Sequence, residues 1–346
     1  MITKLIVHYA NSNKNYRNGI SIKNIERAAK SFGSRMKRTV DYYTPRNIPS
    51  EIEAYLTEPL HPGVSNSGKV GILRLKFERD TNTEKTVIRE QYCRVPLCIQ
   101  RAMYLEESLP AMAYVYIVSP SGGILQGDRY RIDITLGNNA FAHVTTQGAT
   151  RIYKMEKNYA TQMISINVGE GSYFEYIPDQ IIPFHNSRFY QEVELSIHDN
   201  ATMLYSEMIV PGRVESGEAF EYDICYIKTI AQNHLCKPRF MDIVKLEPKK
   251  EDLTVEGILG KFQVVGTVYI ITRELYVKRL KHEIIEKINE FEDKISGGVS
   301  ILPTRQGIVV RILGNTAGDV KSLIFEVVRI TRNQILGVSF SGTRKT

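Results

Sequence analysis

Cysteine is scarce. The chain has four in 346 residues (Cys93, Cys98, Cys225 and Cys236), none in a CxxC pair, which excludes a disulfide framework and a zinc ribbon. No HExxH occurs among the seven histidines, so a zincin is excluded, and no GxSxG elbow is present to seat a serine nucleophile. No apolar run approaches the roughly eighteen residues of a membrane span. The N-terminal stretch lacks the apolar core and small-residue cleavage site of a signal peptide, so the sequence predicts a cytoplasmic protein with no membrane partner. What is present is a globular composition, 42% hydrophobic, enough for a sizeable core. The net charge of +7 is unevenly placed: residues 1 to 50 hold ten Lys/Arg against Glu26 and Asp41, leaving the rest near neutral. Within that basic segment Ile22, Ile25, Ala29, Phe32 and Met36 predict one amphipathic helix, Ser21 to Arg38.

The segment "SPSGGILQGDRY" (Ser119 to Tyr130) is rich in glycine, yet no Lys-Ser/Thr pair follows it as a phosphate-binding loop requires. Instead Arg131 to Leu136 alternates polar with apolar residues, the period of a half-buried strand, and Met112 to Val118 reads as a strand before the loop. A glycine loop between two strands offers an anion no helix N-terminus. The expectation is a tight turn that aims Asp128 outward and binds no nucleotide.

From about Gly68 to Lys250 short alternating segments are separated by Gly, Asn, Asp and Pro clusters, the pattern of an all-β body. Three of them align: "LGNNAFAHV" from Leu136, "VGEGSYFEY" from Val168 and "IHDNATMLY" from Ile197. Each reads as an apolar anchor, a turn, a small residue and a strand, which predicts stacked β-coils or a winding pair of sheets. A polar loop follows each strand, and Thr146, Asp179 and Glu207 fall at nearly the same offset from the three anchors. Stacked, their oxygens form a column able to guide a hard or borderline divalent cation, although surface loops are often polar for solvation alone.

After residue 255 a strand-like run, "GKFQVVGTVYIIT", leads into a helix marked by Leu275, Leu280, Ile284, Ile288, Phe291 and Ile295 that stops before Gly297-Gly298. Two strand pieces (Val299 to Pro303, Gly307 to Leu313) and a second helix from Thr316 to Arg332 complete the chain. The division expected is a basic extension over 1–65, an all-β body over 66–250 and a C-terminal α/β cap of two helices over 251–346. Because the body is near neutral and its coils close on themselves, Met1 to Arg46 is expected to be dispensable for its folding.

Few residues suggest chemistry. His234 and Cys236 would share a strand face, with Cys225 as a third ligand, but a buried cysteine and a turn histidine explain them more simply. His143, between Ala142 and Val144, reads as a hydrogen-bonded structural imidazole. Glu106-Glu107 and Glu290, Glu292 and Asp293 read as solvated surface acids.

Five strings taken together, "SPSGGILQGDRY", "TTQGATRIYKMEKNYA", "EYIPDQIIPFHNSRF", "LYSEMIVPGRVESGEAF" and the late "GGVSILP" with "GIVVRILG", resemble the UreD (UreH) family of urease accessory proteins. The similarity runs from about Gly68 to Leu336, with Gln180 standing where many members have proline. The resemblance implies a mainly β, winding fold, no catalysis, no permanently bound cofactor, and a part in building the nickel centre of urease. It implies as partners the urease apoprotein and an F-type accessory protein, which in turn holds the G-type GTPase. It also implies an internal passage for nickel(II) in transit, on which Asp128, Thr150, Glu207 and Asp242 occupy the matching motif positions. Oxygen ligands that hold an ion weakly suit transit better than thiolates. Two other classes stay open on the residues alone. One is a metal-dependent hydrolase using Asp128, Glu207 and a histidine, which would retain metal through dialysis. The other is a nucleic-acid-binding β protein using the basic helix, which would show steep salt dependence.

Overall fold

The computed structural model describes residues 40–57, 68–291, 294–340 and 342; the expected helix from Ser21 to Arg38 lies outside them. Two β-sheets face each other across one core. The seven-stranded sheet runs in the order β14 (Pro238–Leu246), β13 (Ile224–Asn233), β11 (Arg188–Ile197), β8 (Ala160–Val168), β5 (Arg129–Leu136), β1 (Val70–Arg79) and β2 (Thr86–Arg94). Its five central strands are parallel and its two edges antiparallel. The ten-stranded sheet runs β16 (Ile295–Ile301), β17 (Gly307–Gly314), β15 (Val264–Ile271), β12 (Thr202–Ile209), β9 (Tyr173–Tyr176), β6 (Phe141–Thr146), β4 (Ala113–Val118) and β3 (Cys98–Ile99), with β7 (Thr150–Ile152) and β10 (Ile181–Pro183) alongside.

The aligned repeats are the coils of this fold. Leu136, Val168 and Ile197 are direct cross-strand partners, and so are Ala142, Phe174 and Met203 on the other sheet. Each turn therefore carries the chain from one sheet to the same position on the facing one. Alternation then sorts the side chains: Ile132, Ile164 and Val193 point into the core as one layer, and Ile134, Ile166 and Leu195 form the next.

The C-terminal segment holds helices and strands of the expected kinds, but its first helix ends elsewhere. Helix α3 (Glu274–Asn289) ends short of the predicted stop, and Ile295, Gly297 and Gly298 belong to strand β16. Gly297 serves a close approach: a Cβ there would meet the Arg311 carbonyl at 3.1 Å and the Ile288 side chain at 3.3 Å. Leu275 is 66% exposed, and Val277, Leu280, Ile284 and Ile288 make the buried stripe. Helix α4 (Ala317–Leu336) opens on Thr316, whose hydroxyl accepts from the Asp319 N–H, and closes on Gly337 in the left-handed region. Both helices cover the outer face of the ten-stranded sheet, which forms the second core. No helix of the described residues is long and apolar enough to cross a membrane.

Short helices α1 (Val40–Tyr43) and α2 (Ser50–Glu53) sit on the outer face of the other sheet. Ile52 is fully buried against Tyr159, Tyr190, Ile224 and Tyr226, and the Tyr42 hydroxyl donates to Asp133 Oδ2 at 2.5 Å. The stretch from Tyr42 to Tyr55 thus shields part of the β body, so the extension expected to be dispensable overlaps, at its end, a segment seated on the sheet.

Candidate functional site

The glycine loop joins β4 to β5 with no helix behind it, as its sequence predicts. Gly123 has φ +158°, and a Cβ there would meet the Arg151 carbonyl at 2.5 Å, so only glycine lets the loop lie against β7. Asp128 does not point outward. It is 1% exposed, and its oxygens accept the backbone N–H of Lys69 at 2.7 Å and of Leu125 at 2.9 Å. Those amides fix the loop's shape and occupy the carboxylate that sequence reasoning offered to a metal.

Behind this loop lies a cavity of about 240 Å³ between the sheets. Its wall includes Ser119, Ser121 and Gly148 at the loops and Thr150 and Arg151 on β7, then Thr146, Asp179 and Glu207 from successive coils. The predicted column is therefore present as a shared wall. Thr146 Oγ1 accepts the Asp179 N–H at 2.9 Å, while Asp179 Oδ1 takes the Lys321 ammonium of α4 at 2.9 Å. Deeper in, Tyr130, Gln162 and Gln191 add a polar layer that the sequence reading missed. Its signal was available, because these three stand at one common offset before the anchors Leu136, Val168 and Ile197 and are cross-strand partners.

Glu207 closes the inner end, 5% exposed. Its Oε1 accepts from the Tyr205 hydroxyl at 2.8 Å, Gln191 Nε2 at 3.3 Å and Thr229 Oγ1 at 3.4 Å. Burial pushes its carboxyl up to about 7; the Tyr205 hydrogen bond pulls against that shift and the charge of Asp242 adds to it. The folded protein thus holds this proton well above the ordinary 4.5, so the associated stability is complete below pH 4.5 and is lost as pH rises through 7. Glu207→Gln keeps an acceptor for Tyr205 and removes the ionisation. It is expected to be the more stable protein at pH 8, by about 2–3 kcal/mol, and equal to wild type near pH 4. Thermal melts at the two pH values check this; equal stability at pH 8 would contradict the buried-acid assignment.

Asp242 lies outside the cavity wall, one step beyond Glu207. It is the cross-strand partner of Thr229, and its Oδ2 accepts from both Tyr269 Oη and Arg311 Nη2. The ligand set of His234, Cys236 and Cys225 does not assemble. The first two lie in the turn after β13, whereas Cys225 is buried near the far end of that ten-residue strand. Among the described residues no group of three His, Cys, Asp or Glu is placed to hold a metal ion. The interior can offer a cation oxygens in succession, but not a closed chelate.

One surface reading is corrected by a second buried cluster on the opposite face of the ten-stranded sheet. Arg332 is fully buried and forks onto Glu175 at 2.7 and 2.6 Å. Its Nη1 also donates to Glu106 Oε1 at 2.7 Å and to the Tyr114 hydroxyl at 2.9 Å, so Glu106 is an interior acid rather than a solvated one. His143 makes the expected structural hydrogen bond, to Glu175 Oε2 at 2.6 Å. Of the other acids, Glu290 is exposed and pairs with Lys287, while Glu292 and Asp293 lie outside the described residues.

Residues 69–345 match the family described as UreD urease accessory protein. The chain is 41% identical over 283 residues to the urease accessory protein UreD of Cenarchaeum symbiosum, across 82% of this chain and 98% of that protein. It is 38% identical over 295 residues to the UreD of Photorhabdus laumondii, across 85% of this chain and 91% of that one. A Brucella suis protein named urease accessory protein UreD 2 is also 38% identical, over 291 residues.

Proposed function

Because the chain belongs to the UreD family of urease accessory proteins, we propose that it serves urease maturation as a non-catalytic scaffold with an internal route for nickel(II). In this reading it binds the urease apoprotein and an F-type accessory protein, through which it meets the G-type GTPase that handles nucleotide. Nickel enters the cavity behind the glycine loop, exchanges water for the oxygens of Thr150, Thr146 and Asp179, and reaches Glu207, with Asp242 beyond. Asp128 contributes by holding the entrance loop.

The continuity of the polar interior carries this reading. Oxygen donors line the cavity from its loops to Glu207, and Thr229 links that carboxylate to Asp242 on the facing sheet. Neutral or singly charged oxygens bind a borderline cation weakly enough to release it. A carboxyl near 7 can also give up its proton to an arriving ion at neutral pH and regain it when the ion leaves. The hydrolase alternative needs Asp128, Glu207 and a histidine around one ion. No histidine lines the cavity among the described residues, and both oxygens of Asp128 are held by amides.

Reconstitution tests the proposal. Urease apoprotein, the F-type protein, the G-type GTPase, GTP and limiting nickel(II) are expected to yield active urease only when this chain is added, and the chain should co-purify with the apoprotein. Equal activation without it, or no association with the apoprotein, would defeat the reading.

A further inference from the structure

We propose that Arg311 is a gate at the far end of this polar interior, its guanidinium closing the rim between the two sheets and having to leave Asp242 before a cation can pass Glu207. The inference rests on the nickel route proposed above and deepens it by assigning control of that route to one side chain.

Register places the parts. Across the ten-stranded sheet Glu207 is the partner of Thr267, and Thr267 of Arg311, so three side chains stand in a row on the inner face of β12, β15 and β17. Across the seven-stranded sheet Thr229 partners Asp242. The two rows meet between the sheets: Thr229 Oγ1 reaches Glu207 at 3.4 Å, and Arg311 bridges to Asp242. Arg311 Nη1 donates to Thr267 Oγ1 at 2.8 Å, and the Tyr269 hydroxyl completes the cover over Asp242. Glu207 is 5% exposed and Thr267 2%, against 11% for the Asp242 side chain and 20% for that of Arg311, so the ion pair is the layer nearest solvent.

In this position Arg311 opposes transit twice. Its charge is felt at Glu207, where it repels a divalent ion, and its hydrogen bond occupies the carboxylate that would be the next ligand. One rotation of a long, partly exposed side chain removes the repulsion and at the same time takes the charged donor off Asp242, leaving it only the Tyr269 hydroxyl. A purely structural cross-link between sheets would not need to lie on the line from the cavity through Glu207.

The test uses the full chain and nickel(II) alone, by equilibrium dialysis at pH 7.5. Arg311→Ala is expected to bind nickel at least tenfold more tightly than wild type, because Asp242 and Glu207 become available together. Adding Asp242→Asn is expected to abolish the gain. Arg311→Gln, which keeps a hydrogen bond to Thr267 without the charge, should behave like Arg311→Ala and serves if the alanine variant does not fold. Unchanged nickel affinity in a folded charge-removing variant, or a gain that survives Asp242→Asn, would overturn the gate. Glu207→Gln in the urease activation assay separates the two claims: if it is impaired while the Arg311 variants bind as wild type, only the gate fails. Normal activation by Glu207→Gln removes the route itself.

Discussion

Arg332→Met is expected to destabilise the protein by about 3–5 kcal/mol and to lower its melting temperature by on the order of 10 °C. The arginine is fully buried on helix α4, and its removal strands the buried Glu175 and Glu106 without a cation. Burial alone would raise the Glu175 carboxyl. The charge and the two hydrogen bonds of Arg332, with His143 assisting, hold it instead at about 2. That ion pair is weak evidence of net stabilisation, since a well-packed apolar substitute for the whole cluster can be as stable; breaking one half is what costs. Hence Glu175→Gln combined with Arg332→Met should recover part of the loss. The pH dependence has a definite sign: a carboxyl depressed to about 2 contributes fully above its ordinary 4.5 and is lost as pH falls from there toward 2. Burial also depresses the His143 imidazole, so acidification below its ordinary 6.5 acts in the same direction. Calorimetry of the single and double variants at pH 7 checks the claim; a fall of only a degree or two for Arg332→Met would show that the cluster is not a staple between helix and sheet.

Glu207→Ala is expected to reduce urease activation at limiting nickel by tenfold or more while leaving the complex with urease and the F-type protein intact. Among the described residues the substitution removes the only carboxylate at the inner end of the cavity, so an ion shedding water there finds a tyrosine hydroxyl, two amides and a threonine. Folding should be spared, because the lost partner is an acid held near neutral pH against its own burial cost, and the donors it leaves can turn to water in the cavity. Activity at limiting and at saturating nickel, with gel filtration of the complex, separates passage from assembly. Loss of the complex would assign Glu207 to the scaffold instead.

Much of this interior was legible because a coil repeat converts sequence offset into position. Leu136, Val168 and Ile197 align in sequence and are cross-strand partners in the fold, so Thr146, Asp179 and Glu207 fall on one wall without reference to anything else. The same offset rule would have returned Tyr130, Gln162 and Gln191. What stayed hidden depends on distant chain segments. The Asp128 carboxylate turns inward to meet the amide of Lys69, 59 residues away. Glu106 and Arg332 are 226 residues apart, and no local pattern distinguishes a buried acid from a solvated one. Gly297 and Gly298 have the look of a helix stop signal in sequence, while in the fold Gly297 is a strand residue kept small beneath Ile288.

The central claim, that nickel travels through the cavity rather than around it, is tested most directly by placing charge at its mouth. Gly148 lines the cavity, and a Cβ added there would meet no heavy atom within 4 Å, so a side chain can be introduced without disturbing the fold. The measurement is the nickel content of urease purified after activation at limiting nickel with Gly148→Lys or Gly148→Glu in place of the wild-type chain. An ammonium at the cavity mouth should lower nickel incorporation severalfold, and a carboxylate of similar reach should spare most of it, with the complex formed equally in both. Equal nickel content with the lysine and glutamate variants, each matching wild type, would contradict the passage and leave the chain a scaffold that nickel never enters.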